Sequence, residues 1–185
     1  MTLTLPLRSA RLLQRSVRPG DEADLLAYRG RDEVLTYVPF ERLTIDALDE
    51  FIAKRSQLTE LKADKDFVPL VIEYDGRVIG ETIMRINDLE SQSCEIGWGL
   101  NPDFEGHGFA TEAAAEVIRC VFEDLGFRRV YANLDPRNTK SAALALRLGM
   151  RQEAHFREDY FYHGEWSDTA IYALLKSEWQ ARQSS

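Results

Sequence analysis

The sequence predicts a fold of the α/β (α+β) class, on three observations. Strand-like and helix-like segments alternate along the chain. Asp75-Gly76 joins two β-rich runs, the strongest short-range hairpin signal. Residues 93–134 read as strand, helix, strand, a unit whose crossover is right-handed and whose two strands run parallel. The 185 residues suit one domain, 1–185, with a sizeable core.

The first strand is expected over 10–17, where Pro19, Gly20 and Asp21 then break it and open a short helix through Tyr28. A second helix covers 45–61, with Thr44 as its N-cap and Leu48, Phe51 and Ile52 on one face. Strands follow over 67–74 and 77–86, then over 93–100, where Gly97 and Gly99 interrupt the run. The helix over 108–125 carries an apolar stripe of Ala113, Val117, Val121 and Phe122 and ends at Gly126. A strand over 129–134 and a short helix over 139–148, stopped by Gly149, come next. A final hairpin spans 152–175 and turns at His163-Gly164; the last residues are polar and expected to fray.

Composition narrows the function. No apolar run is long enough to cross a bilayer, and Arg8 and Arg11 interrupt the start where a signal peptide needs an apolar core, so no membrane and a cytoplasmic protein are expected. Cys94 and Cys120 are too few for a disulfide framework and read as packed free thiols. His107, His155 and His163 lack ligand spacing, so no metal is expected. The net charge of -8 argues against nucleic acid and suits a cationic acceptor such as an amine.

The chemistry concentrates between the strand over 93–100 and its helix, in Asn101-Pro102-Asp103-Phe104-Glu105-Gly106-His107-Gly108-Phe109-Ala110-Thr111-Glu112-Ala113. Gly106 and Gly108 let the backbone approach a ligand, and the free N–H groups at the helix start favour an anion, as a pyrophosphate requires. Ligands of such units sit beyond the carboxyl ends of the strands. A Walker A loop would need Gly-Lys-Ser/Thr, which is missing; a dinucleotide fingerprint would need a third glycine at Thr111. The plain alternative is a glycine-rich helix entry with no ligand.

This stretch resembles the coenzyme A loop of the GNAT superfamily: Leu-Asn-Pro closing a strand, an aromatic, Gly-x-Gly, an aromatic, then Ala-Thr-Glu-Ala. Asp135-Pro136-Arg137-Asn138-Thr139-Lys140-Ser141 through Leu148-Gly149-Met150 resembles the family's Asn-x-x-Ser segment and its Leu-Gly-aromatic close, with Met150 for the aromatic. The resemblance runs over roughly 12–179. Gly164-Glu165-Trp166-Ser167-Asp168 through Tyr172-Ala173-Leu174 is similar to the RimJ/RimL branch, the ribosomal-protein N-terminal acetyltransferases. The resemblance implies a mixed, mostly antiparallel sheet flanked by helices, with the central unit splayed to hold coenzyme A. It implies transfer of an acetyl group from acetyl-CoA to a primary amine by direct attack on the thioester.

By the resemblance, Gly106, His107, Gly108, Phe109 and Ala110 hold the pyrophosphate, and the strand backbone at Trp98 and Leu100 meets the pantetheine and the oxyanion. Asn138 bonds the pantetheine arm and Ser141 lies near the thioester sulfur, although Asn138 also reads as a helix cap and Ser141 as a packed helix residue. Glu95 is the candidate base; by alternation it shares a face with Gly97 and Gly99, and its alternative is an exposed strand carboxylate or one paired with an arginine. The Trp98 side chain falls on the Cys94, Ile96 and Leu100 face, which is the core side. Two positions depart from the family: Asp103 replaces Gln or Arg, and Ala145 replaces a tyrosine acid, leaving Ser141 to donate or relay the proton.

The acceptor groove is expected opposite coenzyme A, between the two N-terminal helices and the final hairpin. Tyr28, Tyr37, Phe40, Tyr160 and Tyr162 are candidate lining, with Glu158 and Asp159 to attract an amine. A peptide α-amino group, with pKa about 7.7–8, needs less help than a lysine amine at about 10.4. Three functions stay open: N-terminal acetylation, acetylation of a small amine (antibiotic, polyamine or amino acid), and a coenzyme A-binding regulatory module without catalysis. Homodimers are common in the branch, and the residues themselves fix no oligomeric state.

Overall fold

A computed structural model describes residues 3–38 and 40–183. Strands β1 (Leu7–Arg8), β2 (Leu13–Arg15), β3 (Phe67–Tyr74), β4 (Arg77–Asp88), β5 (Ser93–Leu100), β6 (Arg129–Leu134), β7 (Arg151–Tyr162) and β8 (Glu165–Leu175) form one sheet, in the order β1-β2-β3-β4-β5-β6-β8-β7. Neighbours are antiparallel except β5 and β6, which a helical crossover makes parallel. Asp75 and Gly76, both at positive φ, turn β3 into β4 as the Asp-Gly signal requires.

Helices cover both faces. On one, α4 (Phe109–Arg119) presses Val117 and Ile118 onto Met84 and Ile86 of β4, Cys94 and Ile96 of β5 and Val130 of β6. On the other, α1 (Glu22–Arg29) and α3 (Leu48–Ser56) bring Leu25, Tyr28, Leu48 and Ile52 onto Val71 and Val78. Each such fully buried side chain contributes roughly 1.5–3 kcal/mol. Buried Gln14 locks α4 to the sheet: its amide donates to the Ala113 carbonyl at 3.1 Å and its oxygen accepts from Thr82 at 2.6 Å.

Several elements differ from expectation. The first strand pairs only over Leu13–Arg15, because Glu112 of α4 takes hydrogen bonds from Ser9 Oγ and the Arg11 amide and turns the preceding chain. The second helix is a 3₁₀ turn, Ile45–Ala47, followed by α3, and the Thr44 side chain does not cap it. It ends at Ser56 because Leu61 packs into the core under the opposite face, which a straight helix would not reach. Beyond Arg119 the helix relaxes into a π turn, Cys120–Asp124. A short α2 (Asp32–Leu35) and a terminal α6 (Lys176–Gln183) were not expected. The described end is thus helical rather than frayed, and Trp179 packs on the core; the last two residues lie outside the described ones. Among the described residues no helix is long and apolar enough to cross a membrane.

Candidate active site

The site begins where the sheet opens. β5 and β6 pair only at Ser93–Arg129, Cys94–Val130 and Glu95–Tyr131, and then part. The Asn101 amide donates to the Ile79 carbonyl at 2.7 Å, which brackets the Leu100–Gly80 pair and makes it a non-hydrogen-bonded one. Leu100, and by alternation Trp98, therefore turn their own N–H and C=O groups away from β4 and into the gap. The Trp98 indole packs against the α4-side core, and its Nε1 is buried without a partner among the described residues.

A 3₁₀ turn, Pro102–Phe104, leads from β5 to α4, and Asn101 caps it by accepting from the Asp103 amide at 3.1 Å. Gly106 and Gly108 both take positive φ, at 81° and 78°, and Gly108 is the left-handed cap of α4. An L side chain would be strained at either position. The first amides of α4 have no partner within the helix and face this loop. His107 Nδ1–H donates to the Glu105 carbonyl, 2.8 Å away, and the ring stacks on Phe109. The Phe109 ring is buried against Tyr74, so only its backbone is available to a ligand.

Cations that the sequence did not single out gather here from distant segments. Arg11 donates to the His107 carbonyl at 3.1 Å and to Glu112 at 2.7 Å. Burial raises the Glu112 carboxyl, but hydrogen bonds from Ser9 and Arg11 outweigh it and leave its pKa below the ordinary value. Lys140 pairs with Glu105 at 2.5 Å, and Arg147 donates to Thr111 at 3.0 Å. Asp103 is held bidentately by Arg31, at 2.8 and 2.7 Å, so its charge is matched rather than directed at the loop. That pairing lowers its pKa.

Across the gap, α5 (Thr139–Leu148) starts at Asn138, whose oxygen accepts from the Ser141 amide at 3.0 Å. The cap expected of Asn138 is present, and its Nδ2 has no partner among the described residues. The half-buried Ser141 hydroxyl likewise has none. Ala145 is fully buried in the α4-side core, so the usual tyrosine has no room there without repacking. Asp103 and Ala145, the two departures from the family pattern, thus have local structural causes.

An acetyltransferase (GNAT) domain model matches residues 11–151. The chain belongs to the GNAT acetyltransferases. As a GNAT enzyme it is an acetyl-CoA-dependent N-acetyltransferase. The uncharacterised N-acetyltransferase YnaD of Bacillus subtilis is 27% identical over 174 residues, covering 94% of this chain and 98% of its own. A GNAT-family acetyltransferase structure from Bacillus anthracis superposes with a TM-score of 0.82 at 26% identity, over 94% of this chain and 100% of that one. The relatives include enzymes with different named acceptors. The [ribosomal protein uS5]-alanine N-acetyltransferase of Escherichia coli is 29% identical over 87 residues, 47% of this chain and 45% of its own. The spermidine N(1)-acetyltransferase of Vibrio cholerae is 24% identical over 178 residues, 94% and 98%.

On the α1/α3 face of this GNAT sheet, Glu95 lies in line with Gly97 and Gly99, as alternation predicts, and accepts from Asn87 Nδ2 at 2.9 Å. An open groove of about 720 Å³ runs between α2 and the β7–β8 hairpin, with Phe40, Tyr160 and Tyr162 on its walls. Tyr28 is 1% exposed and belongs to the core instead; Tyr37 lies under Arg137; Glu158 and Asp159 are not in the groove lining. Asp135, missed from the sequence, organises the groove's end. It bonds Arg137, accepts from Ser167 Oγ at 2.8 Å and lies 3.1 Å from the Tyr162 hydroxyl. Burial raises its carboxyl, yet these bonds prevail and its pKa falls to about 2. Cys94 and Cys120 are free, and burial pushes both thiols up to about 12, so neither is a nucleophile. Among the described residues no group of His, Cys, Asp and Glu is placed to hold a metal ion.

Proposed function

We propose that the chain acetylates the α-amino group of a peptide or protein N-terminus. The observation that carries this is the open groove between α2 and the hairpin, on the side of the sheet that presents Glu95. Its volume lies in the range of ligand-binding clefts, and an open cleft admits a chain end. Acetyl-CoA supplies the thioester that the acceptor nitrogen attacks. The chain's own residues fit it: Gly106, His107, Gly108 and the amides of Phe109 and Ala110 take the pyrophosphate. The N–H groups of Trp98 and Leu100 receive the pantetheine arm and the oxyanion, as fixed dipoles that need no reorganisation. Asn138 offers its unpartnered Nδ2 to the same arm. Glu95 takes the amine proton, through water where needed, and Ser141 returns one to the leaving thiol.

A second reading, a small polyamine acceptor, draws on Asp32, Glu41 and Glu165 at the groove. Thiol release from acetyl-CoA separates the two. One pool holds short peptides differing in their first residue; the other holds polyamines, amino acids and aminoglycosides. Release with peptides, traced by mass to the α-amino group, supports N-terminal acetylation; release with small amines alone sinks it.

A further inference from the structure

Six side chains on the α1/α3 face form one stack in which phenylalanine and arginine alternate. Arg29 lies over Phe40 and Phe51 at 5.0 and 4.8 Å, Arg55 over Phe51 and Phe67 at 4.8 and 5.5 Å, and Arg85 over Phe67 at 5.1 Å. Such contacts attract because the ring face is negative. Glu81 is the carboxylate within the stack, 2.8 Å from Arg29 and 3.1 Å from Arg55. Two of the three guanidiniums therefore share the one carboxylate. Arg29 Nε is buried without a partner among the described residues. Burial holds the Arg55 guanidinium below its ordinary pKa. The side chain of half-buried Arg85 makes no ion pair or hydrogen bond among the described residues.

Arg85 stands directly opposite Glu95 in the β4–β5 ladder. Opposite charges so placed, with Cβ atoms about 4.5–5.5 Å apart, ordinarily pair. Here each has another partner, Arg85 over Phe67 of β3 and Glu95 with Asn87, two residues along β4. Beside them Gly97 makes room for Ile83, whose Cγ1 would lie 2.9 Å from a Cβ there. Two opposite charges therefore stand together, unpaired with each other, where β5 and β6 part.

We propose that this held-apart pair reads a zwitterionic acceptor, with the amine beside Glu95 and a carboxylate a few bonds away on Arg85. The acceptor is then an α-amino acid, or a peptide whose first residue is aspartate or glutamate, and not a polyamine. The arginine–phenylalanine stack behind Arg85 adds positive charge and keeps it from turning to Glu95. This rests on acetyl transfer with Glu95 at the reacting amine.

The test uses the full chain, acetyl-CoA and matched acceptors that differ only in the carboxylate. One pair is a free amino acid and its amide; the other is a peptide starting with Asp or Glu and its Asn or Gln counterpart. Spermidine serves as the acceptor with no carboxylate. We expect kcat/KM about tenfold higher for the anionic member of at least one pair, the size of a charge-assisted hydrogen bond. Whichever pair shows it identifies the source of the carboxylate. Arg85→Gln should bring the ratio near one, and Arg85→Lys should keep part of it. Equal rates within both pairs, a preference for spermidine, or an unchanged ratio in Arg85→Gln overturns the proposal. Should Arg85→Gln fail to fold, the wild-type ratios still decide. No turnover on any acceptor, with acetyl-CoA binding intact by calorimetry, would instead overturn acetyl transfer itself.

Discussion

The loop from Glu105 to Phe109 and the arginine–phenylalanine stack flank the same strand, β5, and are built by different means. The loop acts through backbone: two glycines at positive φ, the first amides of a helix, and strand amides turned into a gap. It is contiguous in sequence. The stack acts through side-chain charge, from Arg29, Arg55, Glu81 and Arg85 on three separate elements. Backbone geometry tolerates few substitutions, whereas side-chain charge can change with one. The contrast teaches that this fold keeps the donor side fixed and leaves the acceptor side free to vary.

That division predicts separable defects. The largest is expected at the reacting amine: Glu95→Gln should lower kcat about 100-fold, the usual scale of general-base loss, with the KM for acetyl-CoA unchanged. A KM effect of equal size would make Glu95 part of donor binding and break the comparison. Next, Gly108→Val places a β-branched residue at φ 78°, where its cost is strain rather than crowding, since the nearest atom to a Cβ there is 3.7 Å away. A penalty of roughly 1–3 kcal/mol should weaken coenzyme A binding about twentyfold by calorimetry. The anionic-to-neutral acceptor ratio should not move.

The sequence carried the donor side well because that side is local. Asp75-Gly76, the parallel unit and the Gly-x-Gly loop appear within short windows, and each folds as its pattern requires. What escaped was long-range. Arg31 meets Asp103 and Arg11 meets Glu112 across segments far apart in the chain, and neither arginine has a local mark. Tyr28 looked like groove lining because an aromatic near a helix end has no pattern to separate wall from core. The end of α3 and the split of the first strand were set by Leu61 and Glu112, tertiary partners that outweigh propensity.

Asp135 offers a test on the acceptor side that involves stability rather than turnover. Its folded pKa, about 2, lies below the ordinary 3.8. A depressed carboxyl stabilises fully above its unfolded pKa and loses that contribution as pH falls toward the folded one. Asp135→Asn should therefore cost about 1.5 kcal/mol at pH 7 in urea denaturation, somewhat under the full linkage value because the amide keeps some hydrogen bonds. The difference between variant and wild type should shrink between pH 4 and pH 2. A constant difference across that window would mean that shape, not charge, is what Asp135 supplies to Tyr162 and Ser167.

The smallest effect is expected where the two sides touch. Asp103 sits in the donor loop, and Arg31, between α1 and α2, belongs to the acceptor side. Alone, an acidic residue there would oppose a pyrophosphate; paired, it is neutral at a distance. Arg31→Ala should thus weaken coenzyme A binding about threefold, as expected for an exposed charge, and 0.5 M salt should erase the difference. Asp103→Asn should leave binding equal or tighter, and the double variant should return to near wild type. If both single variants weaken binding alike, Asp103 and Arg31 serve as a mechanical tie between α1–α2 and the loop. The donor side would then be fixed partly by side chains, and its separation from the acceptor side would be incomplete.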